Sequence, residues 1–306
     1  MKFDAATKVY LAGCGGMLGD AVYRQFSAVS TVRATDIDVN ERWLSYADVR
    51  DLAAMRNDIE AFAPDLVVNL AALTDLELCE REPDNAWLTN ALGVENVGLV
   101  ANRLGVPYVY ISTAGIFGGE KDSFNDFDVP NPLAMYAKSK AYGEAWVLRT
   151  VPRHFVFRAG WMMGGGPRKD KKFVNKIYKQ IKAGATELFV VDDKLGTPTY
   201  TVDFARGIQS LVESDEYGLY NQVCSGSGSR YDVAVAFVEM LGLAGRVKVT
   251  RVSSDHFKEE YSAPRPASEK LVNLKLAARG RNVMRDWRVC LAEYSAVYRD
   301  DLRVAR

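Results

Sequence analysis

The chain has 306 residues, with 39 Lys+Arg against 39 Asp+Glu, 48% hydrophobic residues and 25% charged ones. This is a folded, soluble-type globular composition; it excludes disordered and fibrous chains, and zero net charge argues against a general nucleic-acid binder, which needs cations in excess. Two histidines, His154 and His256, leave little scope for His-rich metal sites, so no metal centre is expected.

Four cysteines (Cys14, Cys79, Cys224, Cys290) form no CxxC pair and read as buried free thiols of a reducing compartment. The N-terminus has no apolar signal core and no run approaches 18 apolar residues, so a cytoplasmic protein without a membrane span is expected. The length fits two domains or one large α/β unit.

In chain order, Val9-Tyr-Leu-Ala12 predicts a strand and residues 18–28 the helix after it. Val32-Arg-Ala-Thr35 predicts the second strand, followed by a helix over about 51–62 and a strand at Leu66-Val-Val-Asn-Leu70. A helix over about 84–104 precedes the strand Tyr108-Val-Tyr-Ile-Ser112, and one over about 134–150 precedes Phe155-Val-Phe-Arg158. Strands alternating with helices, each strand continuously apolar, imply a parallel sheet covered on both faces: a Rossmann-type doubly wound α/β fold.

After Arg158 the alternation loosens. Gly164-Gly-Gly-Pro-Arg-Lys-Asp-Lys-Lys172 leads into an amphipathic helix over about 173–183, then a helix from near Tyr231, a strand Val247-Lys-Val-Thr250 and the loop Ala263-Pro-Arg-Pro266. We divide the chain into a dinucleotide-binding domain, 1–158, and a smaller substrate-binding lid, 159–306, with about 190–225 returning to the core.

Gly13-Cys-Gly-Gly-Met-Leu-Gly19 directly follows the first strand and opens the first helix. Gly13, Gly16 and Gly19 allow a tight turn, close backbone approach to a pyrophosphate and close helix–strand packing, with Met17 and Leu18 at the anion-attracting helix start. Asp36, closing the second strand, can accept from the adenosine ribose hydroxyls and repels a 2′-phosphate, which favours NAD over NADP. Asp38 is a weaker candidate, and Asp48-Val49 lies at a spacing that would place it near the adenine. The plain alternative is an ordinary strand–turn–helix with a solvated carboxylate.

Tyr136-Ala-Lys-Ser-Lys140 sets Tyr136 and Lys140 on one helix face. A tyrosine, with a pKa of about 10, is a poor acid near neutrality unless a neighbouring ammonium stabilises its phenolate. Ser112-Thr113 ends a sheet strand where catalytic groups collect. Hydroxyl, phenol and ammonium together suit carbonyl reduction; alone, the Tyr–Lys spacing is equally that of a surface helix.

These motifs, with Val67-Val-Asn-Leu-Ala-Ala-Leu-Thr74, Asn90-Ala-Leu-Gly-Val-Glu-Asn96 and Ile111-Ser-Thr-Ala-Gly-Ile-Phe117, resemble the extended short-chain dehydrogenases/reductases. Within that superfamily the chain is most similar to the dTDP-4-dehydrorhamnose reductases. The narrower likeness rests on Asn131-Pro-Leu133, Gly143-Glu144, Gly160-Trp161, Gly196-Thr-Pro-Thr-Tyr200, Asp203, Ala263-Pro-Arg-Pro266 and Lys275-Leu276, in order along nearly the whole chain.

The resemblance implies NAD(P)H-dependent reduction at C4 of a nucleotide-linked 4-keto-6-deoxyhexose. Thr113, Tyr136 and Lys140 fall on the family's catalytic positions: Tyr136 would protonate the alkoxide, Lys140 lower the Tyr136 pKa and hold the nicotinamide ribose, and Thr113 bond the keto oxygen. Ala71, Ala72 and Asn90 fall among cofactor contacts, and Thr74, Ala114 and Trp161 beside the sugar.

Where the related 4,6-dehydratases carry an Asp-Glu pair, this chain has Ala114 and Gly115, which argues against dehydration. Seven Lys/Arg in 164–182 include Lys172, a candidate with Arg265 for clamping the substrate diphosphate; the lysines over 176–182 read better as a solvated helix face. The rival readings are a nucleotide-sugar epimerase of the same superfamily and a non-catalytic subunit like the regulatory one of methionine adenosyltransferase. The expected partner is a nucleotide-diphosphate sugar, and a homodimer is left open.

Overall fold

A computed structural model describes residues 1–304. Its strands are β1 (Lys8–Ala12), β2 (Thr31–Asp36), β3 (Leu44–Tyr46), β4 (Leu66–Asn69), β5 (Tyr108–Thr113), β6 (His154–Ala159) and β7 (Trp161–Met163). There follow β8 (Glu187–Val191), β9 (Leu195–Gly196), β10 (Pro198–Tyr200), β11 (Gly218–Asn221), β12 (Gly228–Ser229), β13 (Lys248–Val252) and β14 (Ser268–Glu269). Seven of them form one parallel sheet in the order β11-β6-β5-β4-β1-β2-β3.

The expected doubly wound architecture is therefore present, and its apolar strands show why. Val9, Leu11, Leu66, Val68, Val109, Ile111, Phe155 and Phe157 join one buried cluster. The alternate residues Tyr10, Ala12, Val67, Tyr108, Tyr110 and Val156 join a second. Successive side chains point to opposite faces, so both faces of the sheet are buried.

The first-half helices are α1 (Met17–Ser27), α2 (Leu52–Phe62), α3 (Leu76–Arg81), α4 (Pro83–Trp87), α5 (Gly93–Leu104) and α6 (Met135–Thr150). The helix expected over about 84–104 is present as α4, a π-helical turn and α5, helical throughout from Pro83 to Leu104. Glu82 leaves helical geometry at φ −125°, ψ 65° ahead of Pro83, and a π-helical turn spans Leu88–Leu92 before α5. A proline restricts the residue before it and starts a helix well, which accounts for the break between α3 and α4. That π turn carries Asn90.

The second half adds α7 (Gly166–Lys169), α8 (Phe173–Lys182), α9 (Thr201–Ser214), α10 (Arg230–Met240), α11 (Leu274–Ala278) and α12 (Trp287–Val304). Strand β3, helices α9 and α12, and strand β11 were not individually expected. Here α9 packs on α1, and β11 pairs with β6 at the sheet edge. No described helix is long and apolar enough to cross a membrane, and the four cysteines are buried and unpaired.

Helix α6 is tied to the sheet by a buried ion pair. Glu144, on α6, accepts from the Arg158 guanidinium of β6 at 2.6–3.2 Å, and each side chain is 3% exposed. Gly143 lets the helix in close: a Cβ there would lie 2.7 Å from the Asn90 carbonyl oxygen and 2.9 Å from the Tyr110 hydroxyl. Removing one partner strands the other's charge in the interior, so Glu144→Ala should cost about 3–5 kcal/mol in urea unfolding, and replacing both residues by apolar ones much less.

Candidate active site

Strand order reverses between β1 and β4, and ligands of open α/β sheets bind at such a crevice. There β1 and β4 are so close that the Leu70 N–H reaches the Ala12 carbonyl at 2.8 Å. Gly13 leaves β1 at φ +73°, and a Cβ on it would lie 2.2 Å from the Ala71 backbone, so only glycine fits. Gly19 packs as tightly, 2.2 Å from the Cys14 carbonyl oxygen, whereas a Cβ at Gly16 would meet nothing within 4 Å. Gly16 caps α1 with no side-chain bond, so the N–H groups of the first turn face the crevice.

Asp36 braces this turn: its carboxylate accepts from the N–H of Gly15 and of Asp38, both at 2.8 Å. The crevice continues into a cleft of about 2250 Å³ lined by Met17, Leu18, Asp48, Val49, Ala71, Ala72 and Thr74. A single small ligand fills roughly 300–1,000 Å³, so this cleft has room for two extended ones. Asp48 is paired with Arg50 at 2.6 Å, which holds its carboxyl below the usual range.

Two expected residues do not line the cleft. Asn90 is buried with its amide committed to both Leu73 backbone groups (2.8 and 3.0 Å) and to Ser139 Oγ (3.1 Å). It positions the loop that does line the cleft. Ala114 is buried beneath a short turn.

Thr113, Tyr136 and Lys140 come together on one wall. Burial pushes the Tyr136 phenol up to about 12, against a downward pull from the Thr113 hydroxyl, while Cys79 and Glu269 add to the rise. Burial also brings the Lys140 ammonium down to about 7, opposed by Glu144. The Lys140 Nζ donates to the Ile111 carbonyl at 2.6 Å and sits 4.2 Å from the centre of the Tyr110 ring.

The opposite wall comes from the second half. The basic segment is anchored: Asp170 accepts from the Lys172 N–H (2.6 Å), Tyr294 (2.9 Å) and Tyr298 (3.3 Å). Lys172 Nζ donates to Thr74 Oγ1 (2.9 Å) and its carbonyl (3.0 Å). On α8, Val174, Ile177 and Tyr178 are buried while Lys176 and Lys179 are exposed. Arg265 is paired with Glu77 of α3 at 2.7 Å, and Glu77 also accepts from the N–H groups of Ser262 and Ala263 and from the Ser262 hydroxyl.

Trp161 lies in this wall beside two residues that the sequence reading did not single out. Its indole N–H donates to Glu269 at 2.6 Å, and the Arg230 guanidinium stacks 3.6 Å from its ring centre. Arg230 also lies over Phe173 and, among the described residues, makes no side-chain hydrogen bond or ion pair. Burial lowers it to about 10. Glu269 stands three residues after the Ala263-Pro-Arg-Pro266 segment and Arg230 at the start of the helix expected from near Tyr231, but neither lies within a quoted motif.

Residues 7–299 match the family model described as the RmlD substrate binding domain. The chain is 33% identical over 289 residues to the spore coat polysaccharide biosynthesis protein SpsK of Bacillus subtilis, covering 94% of this chain and 96% of that protein. A solved dTDP-4-dehydrorhamnose reductase of Clostridium acetobutylicum is similar at a TM-score of 0.87 and 32% identity, covering 97% of this chain and 100% of that one. Another, from Bacillus anthracis in complex with NADP, has a TM-score of 0.86 at 26% identity, covering 96% and 99%. The chain belongs to the RmlD substrate-binding-domain family, that of the dTDP-4-dehydrorhamnose reductases, within the extended short-chain dehydrogenases/reductases.

Proposed function

We propose that the chain reduces the 4-keto group of a nucleotide-activated 4-keto-6-deoxyhexose using a nicotinamide dinucleotide. The observation that carries this reading is the convergence of Thr113, Tyr136 and Lys140 on one wall of the cleft that begins at the glycine turn. The turn fits such a cofactor: Gly16 leaves the first-turn N–H groups of Met17 and Leu18 open to an anion. Asp36 keeps acceptor capacity for ribose hydroxyls and repels a 2′-phosphate, so NADH is the preferred donor. Asp48 and Val49 would border the adenine, and Ala71 and Ala72 the length of the dinucleotide.

The bound nicotinamide supplies the hydride. The phenol of Tyr136 stays protonated at neutral pH, the state an acid needs, and delivers its proton to the alkoxide oxygen. Thr113 donates to the same oxygen. Lys140 spends one of its donors on Ile111, which leaves others for the nicotinamide ribose. Trp161 would face the sugar, and Arg230, a cation in the cleft wall that makes no close ion pair and feels the Glu269 charge, suits its diphosphate. Lys172 and Arg265 already hold Thr74 and Glu77, so their part is to shape the wall. The boundary near residue 158, and a cytoplasmic setting that keeps the four thiols reduced, belong to the same proposal.

The test is oxidation of NADH and NADPH with dTDP-linked 4-keto-6-deoxyhexoses, the product identified by NMR. Wild-type protein should turn over with kcat/KM higher for NADH. Tyr136→Phe should lose about 10²–10⁴-fold in kcat while binding the cofactor normally. Undiminished turnover in that variant would sink the assignment.

Lys140 gives a second test through stability. Its folded pKa of about 7 lies below the ordinary lysine value of 10.5, so between those values the unfolded chain binds more protons and stability rises with pH. Lys140→Met should therefore exceed the wild type in urea unfolding at pH 7, by on the order of 2–4 kcal/mol, with the gap closing toward pH 10.

A further inference from the structure

Positions 114 and 115 follow the Thr113 strand end and carry no carboxylate, yet the cleft has one beside them. Glu269 arrives from β14, the far side of the chain. Its Oε1 lies 3.2 Å from where a Cβ on Gly115 would stand, a point 3.5 Å from Thr113 Oγ1. A side chain at 115 would crowd this carboxylate; glycine gives it room.

Glu269 is held in place rather than free. Residue 269 pairs with Gly196 of β9, where a Cβ would lie 2.2 Å from the Trp161 indole. The bare strand therefore lets the indole lie flat, and its N–H takes Glu269 Oε2 at 2.6 Å. The Arg230 guanidinium lies 3.6 Å from the centre of the same indole. One carboxylate oxygen is thus fixed on Trp161, leaving Oε1 beside Gly115 and Thr113.

We infer that Glu269 is a specificity-determining residue whose Oε1 accepts a hydrogen bond from the C3 hydroxyl of the sugar. This rests on the reductase reading above, in which Thr113 and Tyr136 hold the C4 oxygen. The chemistry of such a sugar then selects the atom. Of the two carbons flanking C4, C5 bears the C6 methyl group and the ring oxygen, and only C3 bears a hydroxyl. A carboxylate beside the keto-oxygen donors meets that hydroxyl, and an acceptor without a donor of its own rewards a hydroxyl and disfavours its absence.

The experiment compares binding of a dTDP-6-deoxyhexose and its 3-deoxy analogue by calorimetry, with the cofactor present. A hydrogen bond to a charged acceptor corresponds to a roughly 10- to 100-fold preference for the hydroxylated ligand. The wild type should show that preference and Glu269→Ala should lose it, by weakening the hydroxylated ligand alone. Glu269→Gln, still an acceptor, should recover part of it. Trp161→Phe, which removes the donor that fixes Oε2 but leaves the carboxylate, should narrow the ratio less than Glu269→Ala does.

Equal weakening of both ligands in Glu269→Ala overturns the inference, because the residue then only supports the wall. A ratio that Glu269→Ala leaves unchanged overturns it as well. Turnover is read separately: a wild type that discriminates the ligands but reduces no keto sugar sinks the reductase reading and leaves the Glu269 contact supported.

Discussion

The site depends on how closely helix α6 can approach the sheet. Tyr136 and Lys140 project from that helix, Thr113 ends a strand beneath it, and their meeting requires the helix axis to be held within side-chain reach of the strand ends. Glu144 and Arg158 hold it from within, as charges whose separation would leave one unpaired in the core. The absence of a side chain at Gly143 removes the obstacle. The Tyr110 hydroxyl adds a third tie, donating at 3.1 Å to the Lys140 carbonyl itself. Lys140 is buried and Thr113 and Tyr136 are half-buried against the cleft, and this burial shifts both titrating groups of the wall.

Those shifts show a division of labour. Burial disfavours the charged form of each group, so the phenol is kept as an acid and the amine is brought to the edge of neutrality. Lys140 has its partners in the Ile111 carbonyl and the Tyr110 ring.

Much of this was legible in the residues. Continuous apolar runs of four or five residues marked the inner strands, because a strand buried on both faces has no polar position to hide it. The glycine turn was legible because positions 13 and 19 press on backbone, where no other residue fits. Strand β11, GLYN, offered too short a signal, and the break before Pro83 was masked by helical spacing on either side. The contacts of Asn90 lay beyond reach: its neighbours Leu73 and Ser139 are 17 and 49 positions away. Trp161 and Glu269 are 108 positions apart, so no local spacing could couple them. The substrate wall is assembled by the fold, whereas the cofactor end is written into one turn.

The Glu77 contacts carry a consequence for how the cleft is kept shaped. Burial works against its charge, yet Arg265 and the donors of Ser262 and Ala263 hold its carboxyl down to about 2. The attachment therefore stands throughout neutral and mildly acidic conditions and is lost only as pH falls toward that value. Four donors from one loop converge on a single acceptor of α3, beside the bonds that Lys194 Nζ and the Leu195 N–H make to the Arg265 and Ala267 carbonyls. The loop's position, and that of the Tyr261 ring 4.7 Å from the Arg265 guanidinium, is set in part by a residue nearly 190 positions earlier. The mouth of the cleft is in that sense governed from the cofactor half of the chain, and a change at one carboxylate there would loosen a surface that the loop's own sequence does not secure.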